Sequence, residues 1–210
     1  MGRWEPDARG RLARAALELY AERGYEQTTV ADIAQHAGVT ERTFFRHFTD
    51  KREVLFDPSN TLQDAMVAAI TAAPASTPPV ETVVGALQTA GAMLEERHDW
   101  SRRRAAVIAA NPSLLERELL KLAALASAAG EALRARGVRE PRASLAAETG
   151  VTAFKVGFEH WVAEPVSAAR SEPGAKKHNG PATENTHTPQ TLAACIGDAL
   201  AEIRALTATR

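Results

Sequence analysis

Several features that mark common protein classes are missing from this sequence. Cys195 is the only cysteine, so no disulfide can form within the chain. No apolar run reaches the roughly 18 residues that a membrane-spanning helix needs. The charged N-terminus contains no signal-peptide core. We therefore expect a cytoplasmic protein that does not enter a membrane.

The motifs of common enzymes and cofactor sites are absent as well. The sequence has no glycine-rich phosphate loop, HExxH zinc pair, CxxC motif or nucleophile elbow. Its 6 histidines show no metal-ligand spacing. We therefore expect no enzymatic activity, no metal and no cofactor.

Neither sign of charge dominates the chain. The formal net charge is −1, from 25 lysines and arginines against 26 aspartates and glutamates. Bulk basicity therefore cannot drive binding to nucleic acid, and any affinity for DNA must come from the local placement of cations. The 45% apolar content over 210 residues is enough for one large or two small cores.

The strongest positive pattern lies in residues 29–52. A short helix can begin after Thr29, where an aspartate three residues on completes a capping box. It ends at Gly38, which suits the left-handed conformation after a helix. Thr40 can cap a second helix over residues 41–48. Two short helices joined by a turn with glycine predict a helix-turn-helix, whose second helix is shaped to enter the DNA major groove.

The second helix has two different faces. At about 100° per residue, Phe44 and Phe48 point towards other helices. The opposite face carries Glu41, Arg42, Phe45 and Arg46. Arginine can pair with guanine and an aromatic edge can contact a thymine methyl, whereas hydroxyl, imidazole and ammonium groups nearby can reach phosphates. The predicted DNA-binding residues are Thr29, Thr40, Arg42, Thr43, Phe45, Arg46, His47 and Lys51.

This segment resembles the N-terminal DNA-binding segment of the TetR family of transcriptional regulators. The resemblance covers roughly the first quarter of the chain. Position 45 is commonly tyrosine in that family, so Phe45 lacks a hydroxyl and the hydrogen bond that it would make. The matching residues are Gly24 with the aromatic Tyr25, Thr28-Thr29-Val30, Ile33-Ala34, Ala37-Gly38-Val39, Thr43-Phe44, His47-Phe48 and Lys51.

The rest of the chain predicts helices only. The fold class is therefore all-α, with about nine helices in total. The resemblance implies a three-helix head over residues 1–56 and a helical ligand-binding and dimerisation body over residues 57–210. Apolar residues at helical spacing predict helices over residues 7–23, 61–72, 80–96, 99–109, 113–136, 141–163 and 191–206. A further helix is predicted to begin at residues 51–56 and to be interrupted at Pro58. Prolines and glycines predict a flexible loop over residues 165–190.

Side chains in the body leave more than one interpretation open. The aromatic stripe of residues 141–163 is typical of a core, of a subunit interface or of a pocket wall. The three arginines at 102–104 are spread around a helix, which favours a solvated face. The resemblance implies a homodimer formed through the last two helices, about residues 141–163 and 191–206.

The leading hypothesis is a transcriptional regulator of the TetR type, which in that family is most often a repressor. Two heads would bind double-stranded operator DNA of palindromic sequence, and a small-molecule effector in the body would release it. The leucine- and alanine-rich body favours a hydrophobic effector. One alternative is a helical small-molecule-binding protein in which the helix-turn-helix is only a scaffold; another is an all-α enzyme, which would need a cluster of titratable residues.

Overall fold

The structure is a computed structural model that describes residues 7–56, 60–164 and 190–208, apart from the side chain of residue 207. Those ranges contain helices and no β-strand, so the predicted all-α fold is confirmed. The predicted loop at 165–190 lies outside the described residues except for Gln190. The helices are α1 Ala8–Arg23, α2 Val30–His36, α3 Glu41–His47, α4 Thr61–Ala72, α5 Pro79–Glu95, α6 His98–Ala109, α7 Pro112–Ala135, α8 Arg142–Ala163 and α9 Leu192–Thr207.

Local hydrogen bonds fix the ends of α2 and α3. The Thr29 hydroxyl accepts from the backbone N–H of Asp32 at 3.1 Å, and the Asp32 carboxylate accepts from the Thr29 N–H at 2.9 Å. This is the predicted capping box. Gly38 has a φ of +66°, as expected for the residue after a helix. The Thr40 hydroxyl caps α3 by accepting from the Thr43 N–H at 3.2 Å, so the predicted helix-turn-helix is confirmed.

The segment after α3 differs from the prediction. Instead of a helix that begins at residues 51–56, it forms a single 3₁₀ turn, Glu53–Leu55, which we call the linker turn. Asp50 supports the turn, because its Oδ1 accepts from the N–H groups of Arg52 and Glu53 at 2.7 and 3.1 Å. Phe56 then adopts an extended backbone with φ −110° and ψ 143°, which ends the helical path.

The described residues form two hydrophobic cores, and the boundary between these cores does not lie at residue 56. The head core combines α1, α2, α3 and the linker turn with three buried side chains from the corner between α6 and α7: Val107, Ile108 and Leu114. The body core is built from α4, α5, α7, α8 and α9. The α6–α7 corner therefore belongs to the body in sequence but completes the core of the head.

Close backbone packing places α8 at the centre of the body. A Cβ atom on Gly157 would lie 2.7 Å from the Ile196 Cα on α9, and one on Gly150 would lie 2.4 Å from the Val83 Cγ1 on α5. Both distances are too short for any side chain. Helices α5, α8 and α9 therefore form one tightly packed unit.

The apolar stripes of the body agree with the prediction in part. On α9, Leu192, Cys195, Ile196, Ala199 and Leu200 are buried, whereas Leu206 is 85% exposed. The stripe of α8 is mainly core, since Val151, Phe154 and Trp161 are buried. On α7, Leu114 is buried, whereas Leu115 and Leu119 are 42% and 48% exposed.

We predict that Leu114→Ala destabilises the head, although Leu114 lies outside residues 1–56, which the sequence assigns to the head. Leu114 is 0% exposed in the head core, so its truncation should reduce the free energy of unfolding by about 2–5 kcal/mol. Backbone hydrogen exchange should accelerate in α1 and α3. Leu120→Ala is the matched control, because Leu120 is 57% exposed on the same helix. Unchanged exchange in α1 and α3 of the Leu114 variant would show that the head is independent of the corner.

Candidate nucleic-acid interface

One face of α3 is open to solvent and carries the predicted base-contacting residues. We call Glu41, Arg42, Phe45 and Arg46 the recognition face, and all of them are exposed. Phe44 and Phe48, on the opposite side, are 0% and 4% exposed. The predicted division of this helix into two faces is therefore confirmed.

Phe45 is an exposed aromatic side chain held in a defined position. Its side chain is 56% exposed, and its ring meets the buried Phe44 ring edge-on with 5.4 Å between centroids. Edge-to-face packing is a favourable arrangement for two aromatic rings. The buried ring therefore supports the exposed one, which leaves an apolar surface among charged groups.

The arginines of the recognition face have no partner within the part of the chain that the structure describes. Arg42 and Arg46 form no ion pair or hydrogen bond there, unlike His36, which contacts Glu18 at 3.0 Å elsewhere in the head. Guanidinium groups present donors in a planar fork that fits guanine or phosphate. Both donor sets are therefore available for an external ligand.

The threonines at the helix starts differ in what they can offer. The Thr40 and Thr43 hydroxyls lie 3.1 Å apart and are within reach of solvent. The Thr29 hydroxyl instead donates to the Asp32 carboxylate at 2.6 Å. These hydrogen bonds from Thr29 lower the pKa of Asp32, so a negative charge lies beside Thr29. A phosphate is therefore easier to place at Thr40 and Thr43 than at Thr29.

His47 can offer one ring nitrogen to DNA. Its side chain is partly buried at the flank of the recognition face. The Nε2 atom is buried and has no hydrogen-bond partner among the described residues. Nδ1 is therefore the ring atom through which a phosphate contact can be made.

The Lys51 ammonium, which we predict to contact phosphate, is hydrogen-bonded to the protein's own backbone. Its ammonium donates to the carbonyls of Tyr25, Thr28 and Glu26 at 2.9, 3.0 and 3.4 Å and lies 4.4 Å from the Tyr25 ring centroid. The Tyr20 hydroxyl in turn donates to the Lys51 carbonyl at 2.6 Å. Burial raises the pKa of Tyr20, so this donor keeps its proton. Lys51 thus ties the segment before α2 to the segment after α3.

Arginines of the body hold the linker turn, which sequence reasoning missed. Arg104 Nε donates to the Leu55 carbonyl at 2.7 Å while its two NH groups bind Glu118 at 3.1 and 2.8 Å. Arg117 binds both carboxylate oxygens of Glu53, one at 2.9 Å. The two guanidiniums lie 5.0 and 5.6 Å from the centroid of the Phe56 ring. We call this arrangement the arginine clasp.

The arginine clasp corrects the prediction that the three arginines at 102–104 form a solvated face. Arg102 and Arg103 are exposed as expected, but the Arg104 side chain is only 13% exposed. Bidentate, charge-assisted hydrogen bonds are among the stronger polar contacts in proteins. The head and the α6–α7 corner are therefore joined by polar contacts as well as by a shared core.

An open groove lies at the far end of the body, away from the linker turn. Its volume is about 920 Å³, and it runs between the α4–α5 loop and the α7–α8 turn. Arg136 holds the loop by donating to the carbonyls of Ala73 and Pro74 at 2.7 and 3.0 Å. Within the described ranges, no group of three or more histidine, cysteine, aspartate or glutamate side chains could hold a metal, and none of the helices there could cross a membrane.

Comparison with known proteins points to one family. The model of the bacterial regulatory proteins of the tetR family matches residues 12–57. The transcriptional regulator TcmR of Streptomyces glaucescens is 44% identical over 80 residues, which are 38% of this chain and 35% of that protein. The transcriptional repressor KstR2 of Mycobacterium tuberculosis is 43% identical over 47 residues, which are 22% of this chain and 24% of that repressor. The chain thus aligns with about a third or less of these relatives.

The similarity in structure extends over the whole chain. The fatty acid degradation regulator FadR of Bacillus halodurans superposes with a TM-score of 0.54 and 18% identity, covering 100% of both chains. At this identity the likeness concerns the fold, an N-terminal helix-turn-helix on a helical body. The N-terminal helices, within residues 12–57, are thus similar to those of the tetR family of bacterial regulatory proteins.

Proposed function

We propose that the protein is a transcriptional regulator that binds double-stranded operator DNA, and that it acts as a repressor. The observation that carries the proposal is the recognition face, where an exposed phenylalanine lies beside two arginines that have no partner among the described residues. Relatives that share the head are a regulator and a repressor by name. The proposal includes a cytoplasmic location, where bacterial DNA lies, and no enzymatic activity.

In the proposed complex, α3 lies in the major groove. Arg42 and Arg46 pair with guanine edges, and Phe45 contacts a thymine methyl or a sugar. Thr40, Thr43 and His47 contact phosphates at the rim of the groove, with Thr29 at the start of α2. Lys51 acts indirectly, because its ammonium holds the backbone before α2.

The proposed assembly is a homodimer through α8 and α9. These helices pack closely against each other at Gly157, and their outer faces remain exposed. The outer face of α9 carries the small side chains of Ala194, Ala201 and Ala205, while that of α8 includes Leu145, which is 63% exposed. Two heads related by a two-fold axis would match a palindromic operator with half-sites about 34–36 Å apart.

The proposed signal is a small hydrophobic effector that binds the body and releases DNA. The leucine- and alanine-rich body core supports an apolar ligand. Release requires that the effector bind the two conformations of the dimer unequally. The arginine clasp gives a direct physical connection along which a movement of α6 and α7 would reach the linker turn.

The DNA-binding proposal is tested by Arg42→Ala. Sequences bound by the parent protein are first selected from a random DNA pool, and affinities are then measured by fluorescence anisotropy. Loss of a base contact should weaken binding by about 1–3 kcal/mol per half-site and relax the preference at one base pair. Arg103→Ala is the control, since Arg103 is exposed on α6. If the parent selects no sequence, the scaffold alternative gains support.

Lys51→Ala separates a structural function from a phosphate contact. Because the ammonium satisfies carbonyls of Tyr25 and Thr28, its loss should destabilise the protein by about 1–3 kcal/mol and accelerate hydrogen exchange at the start of α2. The slope of log affinity against log salt should stay the same for the folded variant. A slope reduced by about one unit, with unchanged stability, would instead indicate a phosphate contact.

The proposed dimer is tested by placing an arginine on its interface. Ala201→Arg on the outer face of α9 should convert the dimer to a monomer in sedimentation-velocity experiments and weaken operator binding, because a buried unpaired charge is unfavourable. Ala123→Arg on α7 introduces the same side chain at another exposed alanine and should leave the dimer intact. A dimer that survives Ala201→Arg would exclude this interface.

A further inference from the structure

The recognition face contains one negative charge, on Glu41. It is the first residue of α3, and its side chain is exposed beside Arg42. Glu41 has no hydrogen bond or ion pair in the described part of the chain, even though two arginines lie on the same face. Its charge is therefore not neutralised by any residue that the structure describes.

The carboxylate of Glu41 is not needed to form α3. In α2 the acidic residue that closes the capping box is Asp32, the third residue of the helix. In α3 the corresponding position is Thr43, and the Thr40 hydroxyl caps the helix without Glu41. An exposed acid in the first turn gains only a small interaction with the helix dipole. Local structure thus gives little reason for a carboxylate at this position.

Against DNA, a carboxylate at this position has two opposing effects. It repels the phosphates of every sequence, which lowers non-specific affinity. It can also accept a hydrogen bond from a base, and the cytosine N4 amino group is the usual donor for an acidic side chain in the major groove. Only a site with a suitably placed cytosine would offset the repulsion.

We infer that Glu41 is a specificity-determining residue, which accepts a hydrogen bond from a cytosine amino group and weakens binding to all other DNA. This inference rests on the proposed function, because it requires that α3 face the major groove. It divides the recognition face into two parts: the arginines supply affinity and guanine contacts, and Glu41 supplies discrimination.

The test is Glu41→Gln, which removes the charge and keeps the shape of the side chain. Base preferences are measured by selection from a random DNA pool, and affinities are measured on the selected duplex and on a scrambled duplex across a salt series. We expect tighter binding to the scrambled duplex with a steeper salt dependence. Discrimination at one cytosine per half-site should fall roughly ten- to a hundredfold, because the neutral amide is a weaker acceptor than a carboxylate and can also donate to other bases.

Glu22→Gln is the matched control, because Glu22 is an exposed acid on α1 that has no partner among the described residues, and its substitution changes the net charge equally. It should leave the base preference unchanged. The inference is overturned if Glu41→Gln tightens both duplexes equally with the same base preference, since Glu41 would then be a general repulsive charge. It is also overturned if nothing changes. A parent protein that selects no sequence would instead refute the proposed function, and the inference with it.

Discussion

The orientation of the head on the body depends on the arginine clasp around the linker turn.

 Arg104 and Arg117 reach from the body to the Leu55 carbonyl and to Glu53, and both guanidiniums pack on the Phe56 ring. Beneath them, buried side chains from the α6–α7 corner complete the head core. The direction in which α3 points is therefore set by contacts that the head alone does not contain.

The recognition helix itself is short and depends on its surroundings. A helix of seven residues is not stable alone in water, so α3 persists through the Thr40 cap and the burial of Phe44 and Phe48. Because one face supplies the packing, the other face can carry charges that contribute little to stability. The exposed arginines and Glu41 are compatible with a stable head for this reason.

The body provides a rigid frame for this arrangement. At Gly157 the backbones of α8 and α9 approach too closely for a side chain, and His98 at the start of α6 binds the Trp161 carbonyl on α8 at 2.8 Å. Since a carbonyl only accepts, His98 donates from Nε2. Helix α6 is thus anchored to α8 at one end and to the linker turn at the other, which supports the proposed coupling between body and head.

The sequence by itself determined the features that depend on near neighbours. The capping box at Thr29, the left-handed Gly38 and the two faces of α3 each follow from residues within a few positions of one another, and all three are present. The helices of the body follow in the same way from periodic apolar residues, with ends that shift by about one position.

Only the tertiary structure decided where the charged side chains act. Lys51 binds carbonyls more than 20 residues away, at Tyr25 and Thr28, and Arg117 binds Glu53 across 64 positions. Leu115 and Leu119 follow the apolar period of α7 but remain exposed. Apolar periodicity indicates which residues share a helix face, whereas packing between distant segments decides what that face contacts. A long, flexible charged side chain can reach partners in many directions, so its partner is not fixed by its position in the sequence.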